Sequence, residues 1–239
     1  MSGIAERSLL LVTHWAQSQG SRYVKEDLTM LELYTFATPN NIKVMIALEE
    51  LALPYTIHRV NLRAGEQKDP AFLALNPNGK VPVLVGHKDG KTNVLTESAA
   101  ILVYLAEREG ALLPEDGLER ARVFEQLFFH ASALGPAFGN AGYFLKLADE
   151  PNPAAVERFH NEAKCTLKVL DGWLSERQYV AGDSYSIADI AHFGWLWRRG
   201  FADIDLAEAP HVATWFERIN QRPAVQAAIA KAESLIPQS

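Results

Sequence analysis

Tyr34-Thr35-Phe36-Ala37-Thr38-Pro39-Asn40-Asn41 is the stretch that decides how this chain folds. A short apolar run, Leu31 to Phe36, meets a helix-start signal. Thr38 suits the N-cap position. Pro39 follows at the first helical position, where a missing N–H costs nothing. Ile42 to Leu51 then carry apolar residues at helical spacing. Thr38 and Asn40 therefore sit where a strand end meets a helix N-terminus. That place offers unpaired N–H groups and a partial positive charge, which suits a thiolate or carboxylate guest.

Working outward, residues 31–108 alternate strand and helix patterns. Leu31–Phe36 reads as a strand and Asn40–Leu53 as a helix, with Val44, Leu48 and Leu51 on one face. Tyr55–Val60 is a second strand, rich in β-branched and aromatic residues. Asp69 and Pro70 open a short helical segment to Leu75. Val83–Val85 and Thr92–Leu95 flank Asp89-Gly90, a two-residue hairpin signal. Ser98–Arg108 is a helix. The order βαβ, short helix, ββα makes the first strand pair parallel and the second antiparallel.

After Gly110 the character changes. Leu113-Pro114-Glu115-Asp116-Gly117 reads as a loop and a domain boundary. Beyond it the strong patterns are helical. Val156, Phe159, Ala163, Leu167, Leu170 and Leu174 trace one apolar stripe. Val212, Trp215, Phe216 and Ile219 trace another. The fold class expected is α/β followed by all-α. The expected divisions are an extension over 1–29, an α/β domain over 30–110 and a helical domain over 118–236. Ser186 is placed as an N-cap with Asp189 completing a capping box, a structural reading that keeps Asp189 out of the chemistry.

Composition narrows the function classes. The 239 residues include 48% hydrophobic ones, enough for a real core. The net charge of -6 argues against nucleic acid or an anionic membrane surface as a main partner. A single cysteine, Cys165, cannot form an internal disulfide and fits a reducing compartment. No apolar run approaches the roughly 18 residues needed to span a bilayer. The apolar run in the N-terminal extension is too short for a secretory signal. The chain is read as cytoplasmic. His14, His58, His87, His130, His160, His192 and His211 show no metal-ligand spacing. Cys165 lies in an apolar-striped helix and is expected to be packed. Trp195, Trp197 and Trp215 are expected to be core.

Taken together, several stretches resemble the cytosolic glutathione transferases from about residue 30 to residue 236. They are the βαβ start, Asn76-Pro77-Asn78-Gly79-Lys80-Val81-Pro82, Thr96-Glu97-Ser98-Ala99-Ala100-Ile101 and the Ser186–Asp189 cap. Thr38-Pro39-Asn40 looks most like the Nu class and its fungal nitrogen-regulator relatives, where this tripeptide stands in place of a Tyr, Ser or Cys. The resemblance implies a thioredoxin-like N-terminal domain, an all-helical second domain and a homodimer. It implies glutathione as co-substrate, no metal, and a small disulfide or electrophile as the second substrate.

The resemblance also assigns roles. Thr38 and Asn40 become the catalytic candidates, donating hydrogen bonds to the glutathione sulfur. Read from the residues alone, Thr38 merely caps the helix. Val81, before a cis proline at Pro82, would pair with the cysteinyl backbone of glutathione as a short strand addition. Ser98 would hold the γ-glutamyl carboxylate at a helix N-terminus, and Glu97 the ammonium. The alternative for that pair is an ordinary capped helix start. Gln67 and Lys80 match family positions that reach glutathione, and Arg158 one that faces the site from the helical domain. Each of these three also reads as an ordinary surface residue. Tyr34 is assigned to the core. The implied activity is glutathione-dependent disulfide-bond reduction. Conjugation of electrophiles or peroxide reduction uses the same thiolate, and a non-catalytic regulatory binding protein is the reading from another class.

Overall fold

The computed structural model describes residues 30–237. The expected extension over 1–29, with His14, lies outside the described residues. Strand β1 (Met30–Thr35) leads into helix α1 (Pro39–Glu50), and β2 (Thr56–Arg59) follows. A 3-10 turn (Glu66–Lys68) and helix α2 (Pro70–Leu75) precede the hairpin of β3 (Val83–Lys88) and β4 (Lys91–Thr96). Helix α3 (Ser98–Glu109) closes this part. The sheet order is β2-β1-β3-β4. β1 pairs with β2 in parallel, and the other pairs are antiparallel. This is the expected thioredoxin-like arrangement.

Period-2 alternation decides which side chains reach which layer. Leu31 and Leu33 point into the core shared with α1 and α3. Tyr34 joins Val60, Phe72, Val83 and Val85 on the opposite face. The hairpin turns at Asp89 and Gly90, both with positive φ, as a type I′ turn requires. Val81–Pro82 is cis, as expected.

The second part is helical: α4 (Gly117–Phe129), α5 (Gly135–Lys146), α6 (Pro153–Leu174), α7 (Ile187–Trp197), α8 (Pro210–Asn220) and α9 (Pro223–Ser234). A π-helical turn, His130–Leu134, joins α4 to α5 without a break. The capping box at α7 forms as read. Ser186 Oγ accepts from the Ala188 N–H at 3.2 Å, and Asp189 Oδ2 accepts from the Ser186 N–H at 2.9 Å. Asp189 Oδ1 also takes the Val180 N–H and the Trp215 indole N–H. Four donors thus satisfy a wholly buried carboxylate, and Asp189 ties α7 to α8.

Helix α7 packs on α1 through Gly194. A Cβ there would strike the Pro39 carbonyl and the Lys43 side chain. The helical layer therefore presses directly on the first turn of α1. At the other end of α1, Arg222 donates to both Glu50 oxygens, at 2.6 and 2.9 Å, and lies 3.8 Å over the Tyr185 ring. These contacts hold the α/β layer and the helices in fixed register around the α1 N-terminus.

Candidate functional site

Thr38 occupies the N-cap of α1, with extended dihedrals, and Pro39 sits at the first helical position. Its side chain does not cap. The Thr38 oxygen instead accepts from the Asn41 side-chain amide. Asn41 is wholly buried, and its Oδ1 accepts from the Thr35 hydroxyl at 2.9 Å. The expectation that Thr38 accepts a helix backbone N–H is thus corrected. A side-chain amide takes that place, and the Thr38 proton remains free to donate.

Asn40, two residues beyond Thr38, is exposed. Its Oδ1 accepts from Lys43 Nζ at 2.7 Å, which leaves the Asn40 NH₂ to face outward. Lys43 is 1% exposed, a rare setting for a lysine. Burial pushes its amine down to about 7, opposed by the Glu97 carboxylate. Nζ also lies 2.6 Å from His130 Nε2. His130 belongs to the π-helical turn, and burial, with Lys43 and His192 nearby, holds its imidazole well below its ordinary value. A neutral His130 accepts from Lys43 through Nε2 and so carries its proton on Nδ1. His192 gives its Nδ1–H to the Ala188 carbonyl at 2.8 Å, and burial lowers it to about 4.

The facing wall is built by a loop and a helix start. Buried Asn76 holds the loop. Its Nδ2 donates to the Lys80 carbonyl at 2.7 Å, and its Oδ1 accepts from the Asn78 N–H at 3.1 Å. Among the described residues, nothing takes up the Val81 N–H or C=O. Glu97 is the N-cap of α3 with φ 67 and ψ 113, an uncommon conformation for a residue with a side chain. No side chain caps α3, so its first N–H groups open onto the cleft beside Ser98.

Three cavities run along this cleft. One of about 240 Å³ is lined by Asn40, Asn76, Asn78, Lys80, Val81, Pro82, Glu97 and Ser98. A second shares Asn40, Glu97 and Ser98 and reaches Lys43, His130, Gly135 and Trp195. A third of about 470 Å³ lies on the other side of Thr38, lined by Ala37, Pro39, Lys146, Trp195, Arg198, Gly200 and Phe201. An extended chain can lie along the Val81 edge with an anionic end at the α3 N-terminus. Its middle then passes the Thr38 and Asn40 donors, and a second, more apolar group fits against Trp195 and Phe201.

The structure brings Thr38, Asn40, Lys80, Val81, Glu97 and Ser98 to one cleft. Gln67 stands beside it. Its backbone carbonyl would lie 3.1 Å from a Cβ on Gly79, and its buried Oε1 has no partner among the described residues. Arg158 is exposed on α6 and lines none of these three cavities. Tyr34 stacks on His58 at 4.6 Å, on the far face of the sheet, as its core assignment requires.

One expectation is corrected. Cys165 is exposed, because it lies about 200° around α6 from buried Ala163. Trp195 and Trp215 are core as expected, and Trp197 is half-buried against it. Trp195 also lines two of the cavities. Asn41, Lys43 and His130 were missed as site residues. The one available signal was two polar residues, Asn41 and Lys43, inside the first two turns of an otherwise buried helix.

Comparison with known proteins agrees with this geometry. Residues 39–108 match the glutathione S-transferase N-terminal domain, and residues 134–223 match the glutathione S-transferase C-terminal domain. The disulfide-bond oxidoreductase YfcG of Escherichia coli is 40% identical over 209 residues, 85% of this chain and 96% of that protein. Disulfide-bond oxidoreductase YghU of the same organism is 36% identical, over 82% of this chain and 73% of that protein. A glutathione transferase family member from Pseudomonas fluorescens, solved with two glutathione molecules bound, superposes with a TM-score of 0.80 at 36% identity. That match covers 90% of this chain and 96% of the other. With both parts of the chain matched and the cleft between them intact, the protein belongs to the glutathione S-transferase family.

Proposed function

We propose that this protein is a glutathione-dependent disulfide-bond oxidoreductase. The observation that carries the reading is the pairing of two uncapped helix starts across one cleft, Thr38–Asn40 on α1 and Glu97–Ser98 on α3. Glutathione is a substrate here rather than a resident cofactor. Its γ-glutamyl carboxylate fits the α3 N-terminus, its cysteinyl backbone the open Val81 edge, and its sulfur the donors of Thr38 and Asn40. Glu97 serves the ammonium, and Lys80 and Gln67 flank the loop.

A free thiol ionises near pH 8.5, so only a few per cent is thiolate at neutral pH. Two donors at a helix N-terminus favour the anion. The thiolate attacks one sulfur of a substrate disulfide. A mixed disulfide forms, and the second sulfur leaves as a thiolate that takes up the released proton. A second glutathione then attacks the mixed disulfide, giving glutathione disulfide and the second free thiol. Two glutathione thiols are oxidised and one disulfide is reduced. The protein supplies no sulfur, and Cys165 lines none of the three cavities. The relatives named as disulfide-bond oxidoreductases support this reading. So does the Pseudomonas putida transferase solved with glutathione disulfide bound, at 36% identity and a TM-score of 0.78, covering 84% of this chain and 90% of that one.

The apolar cavity walled by Trp195 and Phe201 favours a second reading, conjugation of glutathione to an aromatic electrophile. Turnover of a small mixed disulfide is to be measured beside that of a chloro-nitroaromatic, with and without glutathione. Faster glutathione-dependent disulfide turnover supports the oxidoreductase. The reverse order favours conjugation, and no turnover of either favours a binding protein.

A homodimer is part of the proposal. Phe128, 69% exposed, and Leu118 on α4 and Val94 on β4 are large apolar side chains left open to solvent. Sedimentation giving a monomer at micromolar concentration counts against it. A cytoplasmic setting is also proposed, supported by one exposed, unpaired cysteine. Among the described residues, no helix is long and apolar enough to cross a membrane.

A further inference from the structure

We infer that Asn41 is a positioning residue that aims the Thr38 hydroxyl proton out of the fold, at the sulfur of the bound thiol. The inference deepens the proposed function and rests on it. Thr35, Asn41 and Thr38 form a chain of hydrogen bonds that starts in the core and ends at the cleft. Thr35 and Asn41 are both wholly buried, whereas Thr38 borders a cavity.

Such a chain can run in two directions. In one, the Thr35 hydroxyl donates to Asn41 Oδ1, the Asn41 NH₂ donates to Thr38, and the Thr38 proton is free. In the other, the Asn41 amide is turned over. Thr38 then donates inward, Asn41 donates to Thr35, and the Thr35 proton is free.

Burial separates the two. The second direction strands a hydroxyl proton in the core, where no described residue other than Asn41 bonds the Thr35 hydroxyl. The first leaves the spare proton on Thr38, where substrate or water can accept it. The core end of the chain therefore fixes the direction at the cleft end, 3 residues beyond the end of β1.

Direction has a chemical consequence. A thiolate can only accept, so it fits the outward proton. A neutral thiol can donate its own proton, so it also fits the inverted chain. Fixing the direction stabilises the anion over the thiol. Each donor in the line also polarises the next, which strengthens the last bond to sulfur. A threonine with a freely turning hydroxyl would lack this bias.

The role is distinct from merely holding Thr38 in place, because it assigns an effect to Thr35, which no substrate touches. Thr35→Val keeps the shape and removes the buried hydroxyl, so the stranded Thr35 proton that disfavours the inverted chain is gone, and either direction now leaves one Asn41 group without its partner. The experiment follows thiolate absorbance against pH for bound glutathione. It uses wild type, Thr35→Val, Asn41→Ala, Thr38→Ala and the double variant Asn41→Ala/Thr38→Ala. Calorimetry on each protein gives glutathione affinity, and a melt confirms folding.

Asn41→Ala should raise the bound thiol's titration point and lower turnover on the order of 10-fold. Thr35→Val should shift it the same way by a smaller amount, roughly 3-fold in turnover. Affinity for glutathione should fall by no more than the titration shift itself requires by linkage, since the contacts to the rest of the tripeptide are untouched. The Asn41 effect should vanish in the Thr38→Ala background.

Should a folded Thr35→Val leave the titration unmoved, the inference is overturned while the proposed function stands. An Asn41 effect that persists undiminished without Thr38 also overturns it, because the residue then acts by another route. A wild-type protein that binds no glutathione, or binds it with an unshifted thiol, overturns both.

Discussion

Lys43 Nζ donates to Asn40 Oδ1 at 2.7 Å, from a side chain that is 1% exposed. A buried amine thus fixes the orientation of an exposed amide at the mouth of the cleft. Asn40 could otherwise present either its oxygen or its NH₂ to a guest. With Lys43 holding the oxygen, the NH₂ faces the anion. Lys43→Met should release Asn40 and lower turnover several-fold, with a smaller effect on glutathione affinity. Equal losses in affinity and turnover would show that Asn40 acts only as a ground-state contact.

The same lysine gives the protein a pH signature. Its amine titrates near 7 when folded and near 10.4 in an unfolded chain. Between these values the unfolded chain holds the proton and the folded protein has released it. Stability therefore rises with pH across that window. Below about 7 both states are charged, and the desolvation of the buried charge counts fully against folding. Urea midpoints measured from pH 6 to 10 should climb in wild type and climb less in Lys43→Met. Parallel profiles would mean that the lysine is not desolvated.

Gly194 is where the helical layer touches the site. A methyl group there would strike the Pro39 carbonyl and Lys43, so α7 and α1 must part. Gly194→Ala should destabilise by about 1–3 kcal/mol, as overpacking does. The corresponding fall in Tm is roughly 2–4 °C per kcal/mol for a chain this long. Turnover should fall further than stability requires, because the Thr38–Asn40 turn moves with α1. A variant with wild-type melting and full activity would refute the close approach.

Much of this was legible in the sequence because it rests on local rules. Thr38-Pro39 announced a helix start, Asp89-Gly90 a tight hairpin, and Ser186 with Asp189 a capped helix. Each signal lies within a few residues and depends on backbone geometry. What stayed hidden depends on long-range packing. Lys43 reads as a polar residue on an amphipathic helix, and only the arrival of α7 and the π-helical turn buries it. His130 meets it across 87 positions of sequence. Asn41 reads as a second N-terminal polar residue, and its burial against Thr35 follows from the strand's pleat. Cys165 went the other way, since a stripe of nearby apolar residues does not say which face a given residue takes.

Ser98 stands at the first position of α3, whose N-cap contributes no side-chain hydrogen bond. Its hydroxyl and the N–H groups beside it suit a carboxylate far from the reacting sulfur. Ser98→Ala should therefore weaken glutathione binding more than it slows turnover at saturation. Calorimetry and steady-state kinetics on one preparation separate the two. A fall in turnover with unchanged affinity would move Ser98 into the chemistry.

Thr38 and Asn40 are supported from separate buried residues, Thr38 by Asn41 and Asn40 by Lys43. If both donate to sulfur, each deletion should raise the bound thiol's titration point. The loss should fall mainly on turnover, since the bonds strengthen as charge develops. Removing one donor should cost on the order of 1–3 kcal/mol, or roughly 10- to 100-fold in rate. The two losses should not add, because one well-aimed donor still holds a thiolate. The decisive record is the thiolate absorbance of bound glutathione against pH in wild type, Thr38→Ala and Asn40→Ala. Three superimposable curves would remove both residues from sulfur activation. Tyr34 could not take over, because its ring stacks on His58 on the far side of the sheet. Activation would then fall to the Asn40 backbone N–H, because Thr38 N–H donates to the Phe36 carbonyl, Asn41 N–H donates to the Thr38 carbonyl, and Pro39 has no N–H.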